Sequence, residues 1–426
     1  MTTQPGDRLQ ESIRRNVPEI GEHMGDVREV QPGVLFFPVF GNVTAFLTDA
    51  GVVLFDTGTA QAGARVLEQL RQRTDAPVHT IVYSHGHLDH VGGAGHFVEE
   101  ARRLGRPAPR VIGQRRLVAR LRRYTRMWPW VGFIGTWQWD PLTQRSSADF
   151  REPSAPPEFV YPDTVVDERL TFEVGGERFD LFHAYGETDD VLWLWNERRR
   201  LVCSGDLLIY SSPNVGNPWK VQRYTEEWAE ALEAIAALRP DVVLPGHGPV
   251  TATAERVQEV TLTTARYLRS IHDEVVERMN QGQWLEQIWH AVEPPADLAA
   301  ARWLQPSYGH PKFIVQGVWR QYGGWWDGNP ANFFPAPTEE QAREIVAAAG
   351  PETLLARARS LQEAGDLALA CHLVDWVRRA EPDNAEAWIL WRDLFAARAA
   401  DEPNMMARNT FRRAVREAEE RLSDDR

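Results

Sequence analysis

The stretch His85-Gly86-His87-Leu88-Asp89-His90, followed closely by Gly92-Gly93, decides how the rest of this chain is read. Three imidazoles and one carboxylate fall within six residues. In a loop leaving a strand end, histidines at i and i+2 point the same way and share one ion. The Asp and His that follow turn toward a second position a few ångströms on. Such N/O donors suit zinc, which takes tetrahedral or five-coordinate sets, and manganese or iron can occupy the same donors. A lone histidine is usually a core residue with its hydrogen bonds met. A cluster this dense has no comparable structural explanation.

Working outward, residues 77–83 read as a short buried strand that feeds into the cluster, and 94–104 as a helix after it. Upstream, the β-forming runs 33–40, 43–47 and 52–55 are separated by Gly and Asp turn signals and read as a meander. Ala64, Val66, Leu67 and Leu70 give 62–73 helical spacing. A second strand set covers 164–184, with turns at 166–168 and at Gly175-Gly176, then 191–195 and 201–204. A helix over 225–238 leads to a last strand at 242–244.

Two ions need more ligands than the cluster holds. Glu187 in Tyr185-Gly186-Glu187-Thr188, Asp206 in Ser204-Gly205-Asp206 and His247 in Pro245-Gly246-His247-Gly248 each sit just past an apolar β-like run. Loop side chains at such positions converge on a sheet edge, which makes all three candidate ligands. His183 is the alternative to Glu187, but it lies four residues earlier, inside the strand; Asp189 and Asp190 rank below both.

Length and composition bound the answer. The chain has 426 residues, which predicts more than one domain. A hydrophobic share of 43% and a charged share of 25% are those of a folded protein. The 47 basic residues against 60 acidic ones give −13, which disfavours nucleic acid or anionic membrane as a partner. The two cysteines, Cys203 and Cys371, lie far apart and exclude a disulfide framework or a cysteine-rich zinc site. The polar stretch 1–24 lacks the apolar core of a secretory signal, and no apolar run is long enough to span a membrane. A cytoplasmic location is the expectation.

Beyond about residue 253 the pattern turns helical, with an irregular stretch over 294–337. The tail from 338 to 426 is helical in pattern and punctuated at Gly350-Pro351, Gly365-Asp366 and Glu381-Pro382-Asp383. One tetratricopeptide-like unit is too little for a solenoid, so a helical interaction domain is expected. The segment 115–139 mixes Arg122, Arg123 and Arg126 with Trp128, Trp130, Phe133, Trp137 and Trp139. It reads either as a flap packed on the core or as a greasy substrate entrance with arginines at its rim.

Taken together, Asp56 in Phe55-Asp56-Thr57-Gly58, the His85–His90 cluster, Asp206 and His247 resemble the motif series of the metallo-β-lactamase fold superfamily over about residues 28–250. The resemblance implies an α/β fold, a four-layer αββα sandwich, in which Asp56 supports the metal loop from behind. Where that superfamily usually has a third histidine, this chain has Glu187, which resembles the alkyl sulfatase branch. Gly324-Trp325-Trp326-Asp327-Gly328-Asn329-Pro330-Ala331-Asn332 and the region around Ala380-Glu381-Pro382-Asp383-Asn384 resemble the all-α dimerisation domain of that branch. This implies a catalytic domain over 1–270, a helical dimerisation domain over 271–426, and a homodimer. Full-length members usually add a sterol-carrier-like domain after this region.

The implied chemistry places one zinc on His85, His87 and Glu187 and a second on Asp89, His90 and His247, with Asp206 bridging. A water between two zinc ions is acidified toward a pKa of about 7 and attacks the ester. Asp89 and Asp206 would serve catalysis as well as metal binding. Arg223, with Lys220, matches the family position that neutralises the sulfate head of a small amphiphilic ester, and Trp128, Trp130, Trp325 and Trp326 would hold its tail. A His-Asn pair common in the branch is replaced here by Phe313-Ile314. The alternatives are another hydrolase on the same core (a lactonase, a β-lactamase-like enzyme or a phosphoester hydrolase) and a non-catalytic partner-binding protein using the helical tail.

Overall fold

The two strand sets form two sheets in a computed structural model, in which residues 21–139 and 155–424 are described. Residues 1–20, which carry most of the N-terminal stretch read above, lie outside the described residues. The first sheet runs β1 (Arg28–Gln31), β2 (Val34–Phe37), β3 (Val43–Thr48), β4 (Gly51–Phe55), β5 (Val78–Val82), β6 (Arg110–Gln114) and β7 (Thr164–Val166) in spatial order. Pairing is antiparallel up to β4 and parallel beyond it. The switch follows from the connections: tight turns join β2 to β4, whereas the helix Ala60–Arg71 carries the chain from β4 to β5.

The second sheet contains β8 (Arg169–Val174), β9 (Glu177–Ala184), β10 (Val191–Asn196), β11 (Leu201–Gly205), β12 (Val242–Pro245) and β13 (Thr251–Ala252). Its spatial order is the reverse of its chain order, and only β11 and β12 pair in parallel, across the helix Thr225–Ala237.

Strand β10 shows why this is a four-layer sandwich. All six of its residues are buried. Leu192 and Leu194 join Phe46, Val53 and Phe179 in the core between the sheets. Val191, Trp193 and Trp195 face the opposite way, onto Trp228 and Ile235 of the helical layer. A strand covered on both faces reads as continuously apolar because each face of the period-2 pleat needs its own apolar set. Phe179 sits in the inner core, 5.1 Å from the rings of both Phe46 and Phe172. Truncating such a ring to alanine costs about 3–5 kcal/mol.

Helices complete the layers. Ala60–Arg71 is capped by Thr59, whose hydroxyl accepts from the Ala62 amide at 3.0 Å, and it buries Val66 and Leu70. Ala94–Arg103 buries Phe97 and Ala101. On the other side, the long helix Ala254–Asn280 buries Val257, Val260, Thr264, Leu268, Ile271 and Val275, a stripe at spacings of three and four. The stretch 294–337, read as irregular, contains a further helix, Pro311–Tyr322. Pro311 opens it, the His310 ring accepts from the Lys312 amide at 3.1 Å, and Ile314, Val315, Val318 and Trp319 are buried. The surrounding Gly and Pro residues hid a stripe only twelve residues long.

The chain divides into two compact units. The first holds residues 1–128 and 154–324; the second holds 129–153 and 325–426. The expected division at 270/271 falls inside the helix Ala254–Asn280 of the first unit. The second unit contains helices Thr338–Ala349, Pro351–Glu363, Leu367–Ala380, Ala385–Ala400 and Met405–Asp424; the first three breaks fall at the Gly and Pro punctuation, and the fourth, at 401–404, was not marked by it. Asp366 and Asn384 cap two of them, accepting from the Leu369 amide at 3.2 Å and the Ala387 amide at 3.0 Å. Their shared core contains Leu355, Val374, Trp388, Trp391 and Leu394. The aromatic helix Trp128–Gln138 lies mostly in this unit, tied to it by the Asn409 amide donating to the Gln138 carbonyl at 3.0 Å. Among the described residues no helix is long and apolar enough to cross a membrane.

Candidate metal centre

The candidate ligands follow strand ends of the first unit, with Asp89 and His90 carried on the short helix Leu88–Val91. The chain leaves β5 through Tyr83 and Ser84 into His85; it leaves β9 toward Glu187, β11 directly into Asp206, and β12 into His247. Parallel pairing of β11 with β12 puts Asp206 beside the His247 turn. Gly246 makes the approach possible: a Cβ there would lie 2.0 Å from Asp206 Oδ1. Only glycine leaves that space for the carboxylate.

The seven side chains form two groups. His85, His87, Glu187 and Asp206 make one; Asp89, His90 and His247 make the other. Glu187 Oε2 lies 3.6 Å from His85 Nε2 and 3.3 Å from His87 Nδ1. Asp89 Oδ2 lies 3.3 Å from His247 Nε2 and 3.7 Å from His90 Nε2. Asp206 reaches both groups: its Oδ2 is 3.6 Å from His85 Nε2 and 3.4 Å from His247 Nε2, and its Oδ1 is 3.2 Å from His90 Nε2.

These atoms fit a metal. His90 Nε2, Glu187 Oε2 and Asp206 Oδ1 are buried, converge on the two gaps, and have no hydrogen-bond partner among the described residues. A buried polar atom without a partner costs about 1–3 kcal/mol. Four imidazoles with three carboxylates are the donor chemistry of zinc, manganese or iron.

Charge explains the protonation. Burial alone raises the Glu187 carboxyl, but Arg223 and His87 outweigh it and hold it well below the carboxylate range. Burial also raises Asp89 and Asp206, and the histidines beside them reverse the effect: His90 and His247 lower both. His247 is pushed the other way: burial lowers it, yet Asp206 and Asp89 carry it up to about 10. His87 falls to about 4, chiefly through burial. Three carboxylates packed this closely demand positive charge, and metal binding must displace any protons on the histidines.

Supporting contacts orient the ligands. Asp56 Oδ2 faces His90 Nδ1 at 2.8 Å. Asn42 holds the His247 turn: its side-chain amide donates to the carbonyls of Pro245 and Gly248, both at 3.0 Å. Asn214 donates to Glu187 Oε1 at 2.9 Å, and Arg223 Nη1 donates to the same oxygen and to the Asn214 carbonyl. On the far side, Asp190 accepts from the Gly86 amide at 3.1 Å and from Arg120 Nε at 3.0 Å.

Two family models match the chain. Metallo-beta-lactamase superfamily covers residues 37–247, and alkyl sulfatase dimerisation covers residues 285–421. The first of these matches falls on the two-sheet part of the chain, which carries the candidate ligands. The chain is similar to a linear primary-alkylsulfatase of Pseudomonas sp. (strain ATCC 19151), 26% identical over 88% of this chain and 73% of the relative. It is also similar to the alkyl/aryl-sulfatase BDS1 of Saccharomyces cerevisiae, 24% identical over 83% of this chain and 56% of that protein. The solved structure of the stereoselective inverting sec-alkylsulfatase Pisa1 from Pseudomonas sp. matches with a TM-score of 0.82 at 22% identity, over 92% of this chain and 65% of that one. At that identity the match shows the fold, the expected αββα sandwich with a helical C-terminal region. The chain thus spans between about half and three quarters of these relatives.

Measured against the superfamily motifs, the metal-ligand candidates His85, His87, Asp89, His90, Glu187, Asp206 and His247 lie together. His183 does not join them; its Nε2 faces the Asp189 carbonyl at 3.1 Å and its Nδ1 lies 3.6 Å from Glu168. Asp189 and Asp190 pair with Arg120. Lys220 is half-buried near the site, and desolvation followed by Arg223 lowers its ammonium to about 8. Phe313 stands beside His310, 5.5 Å between rings, and Ile314 is core. Of the tryptophans expected at an entrance, Trp128 belongs to the first unit and Trp130, Trp325 and Trp326 to the second, where Trp130 and Trp325 are 51% and 78% exposed. Sequence reasoning missed Arg120, Asn42 and Asn214. Only the basic run 115–126 signalled Arg120, and it gave no hint that one arginine turns inward.

Proposed function

We propose that this chain is a metal-dependent hydrolase that cleaves alkyl sulfate esters to alcohol and sulfate. The observation that carries the reading is Asp206, whose oxygens lie 3.2–3.6 Å from histidines of both candidate groups, which supports reading the two groups as one two-ion site. The names of the relatives supply the substrate class, and their coverage of both halves of this chain supports it.

His85, His87 and Glu187 would hold one zinc, and Asp89, His90 and His247 the other, with Asp206 shared. When bound, the ions supply Lewis-acid activation of water at neutral pH and stabilise charge developing on the ester. The chain's own residues do the rest. Glu187 is fixed by Asn214 and Arg223, and His90 by Asp56. Lys220, with an ammonium at about 8, is mostly charged at pH 7 and offers the anionic head a partner. Arg223 adds positive charge beside it, although its Nη1 is committed to Glu187. The helical region matching the alkyl sulfatase dimerisation model would pair two copies into a homodimer.

That commitment of Arg223, together with Phe313-Ile314 where the branch has His-Asn, favours one second reading: another ester hydrolase of the superfamily, acting on a lactone or phosphoester. The test is a substrate screen with zinc-loaded protein. Sulfate release from dodecyl sulfate, exceeding turnover of lactones and phosphoesters, is the expected result. Turnover confined to lactones or phosphoesters would move the assignment to the second reading. Labelled water then locates the cleaved bond, entering the alcohol for attack at carbon and the sulfate for attack at sulfur.

A further inference from the structure

We propose that Arg120 and Asp190 form a clamp that positions the His85–His87–Glu187 half of the site and leaves the Asp89–His90–His247 half untouched. The inference rests on the metal-site reading above. Both side chains are buried, Arg120 4% exposed and Asp190 not at all. Arg120 comes from the helix Arg115–Arg126, in which it is the one arginine turned inward. Its Nε donates to both oxygens of Asp190 at 3.0 Å, and its Nη2 donates to Asp189.

Asp190 then reaches the metal loop itself. Its Oδ2 accepts from the amide of Gly86, the residue between His85 and His87. The seat is tight: a Cβ on Gly86 would lie 2.7 Å from Arg120 Cδ and 3.0 Å from Asp190 Oδ2. Asp189 and Asp190 are the second and third residues after Glu187. One guanidinium therefore fastens the loop carrying two histidines to the loop carrying the third ligand of the same group. His183 braces that second loop from inside β9, through the Asp189 carbonyl.

The other half of the site is fastened independently. His90 is held by Asp56, and the His247 turn by Asn42. Neither contact involves Arg120 or Asp190. A buried ion pair that served only the fold would weaken both halves together or neither. A clamp on Gly86 weakens one.

The test is metal binding by the full chain, read without turnover. Cobalt(II) is titrated into metal-free wild type, Arg120→Lys and Asp190→Asn, and its visible absorption is followed together with the number of ions retained in a zinc buffer. Arg120→Lys keeps the charge and loses the fork. Asp190→Asn keeps the shape and an acceptor for Gly86, so it carries the test if Arg120→Lys does not fold. His247→Ala serves as the reference spectrum for an ion in the first half alone. The expected result is an affinity about 10- to 100-fold weaker for the first-half ion, the usual effect of losing a contact that orients a ligand, with the second-half ion within about twofold of wild type. Equal weakening of both ions, or of neither, overturns the clamp. Wild type that binds no ion removes the metal-site reading, and the clamp with it; this outcome differs from the others because it appears before any variant is made.

Discussion

Asp56 holds His90 by its outer nitrogen: Asp56 Oδ2 lies 2.8 Å from His90 Nδ1, while Asp56 Oδ1 accepts from the Ser84 amide at 2.6 Å. A proton on Nδ1 is thereby shared with the carboxylate, and Nε2 is left to point at the gap shared with Asp206. The backbone at Asp56 has φ of 64°, a left-handed conformation that Asp tolerates better than most residues. One residue thus turns the chain out of β4, ties down the start of the histidine loop and aims a candidate ligand.

Replacing Asp56 with Asn tests this orienting role. The amide can keep the Ser84 contact but cannot match the carboxylate toward His90. Zinc affinity should fall by roughly 10- to 100-fold, with turnover falling at limiting zinc and recovering in part at excess. Competition with a chromophoric chelator measures the affinity. An unchanged affinity would take Asp56 out of the support of the site.

In the proposed two-ion site Asp206 is the shared carboxylate, so its loss should be felt by both ions. Asp206→Asn is expected to lower turnover by at least about a hundredfold and to reduce retained metal to one ion per chain or fewer. Elemental analysis of the dialysed variant, alongside thermal melting to show that it is folded, checks both parts. Two firmly held ions in this variant would leave it no bridging part.

Glu187 and His183 can be told apart. His183→Ala should lower turnover by no more than about tenfold, because its nitrogens face Asp189 and Glu168. Glu187→Gln should lose the first-half ion while retaining the bonds from Asn214 and Arg223. Glu187→Ala is the poorer test, since it strands the buried Arg223 and costs about 3–5 kcal/mol of stability. Full metal binding by Glu187→Gln would return His183 to consideration.

Acid stability gives a prediction outside the site. Asp180 on β9 is buried; burial raises its carboxyl, but bonds from Arg178, Thr171 and Arg169 outweigh this and bring it down to about 2. A carboxyl whose folded pKa is depressed stabilises the fold above the unfolded value near 4, and that contribution fades as pH falls toward 2. Half-exposed arginines screen the effect, leaving about 1 kcal/mol. In urea titrations Asp180→Asn should be less stable than wild type by that amount at pH 7, with the gap narrowing between pH 4 and pH 3. A gap that widened on acidification would contradict the sign.

The fold was legible where physical patterns are local. Apolar runs ending in Gly, Asp or His marked the strands that frame the site, and Gly350-Pro351, Gly365-Asp366 and Pro382 marked three of the four helix breaks in the second unit. The candidate ligands were legible because His, Asp and Glu at strand ends are rare without a purpose. Arg120, Asn42 and Asn214 were not, because their meaning lies in partners about 30 to 200 residues away. The helix Pro311–Tyr322 was hidden by its neighbours: Gly309-His310-Pro311 and Gly323-Gly324 read as loop from either side.

The central claim, a two-ion site that hydrolyses alkyl sulfates, is tested most directly by counting metal and turnover together. The chain is stripped with chelator, zinc is returned in steps, and bound zinc and sulfate release from dodecyl sulfate are measured on the same samples. The account predicts sulfate release that is lost on stripping and restored as binding approaches two zinc ions per chain. Sulfate release that persists with less than one metal per chain, or a chain that holds two ions and cleaves no sulfate ester, would contradict it.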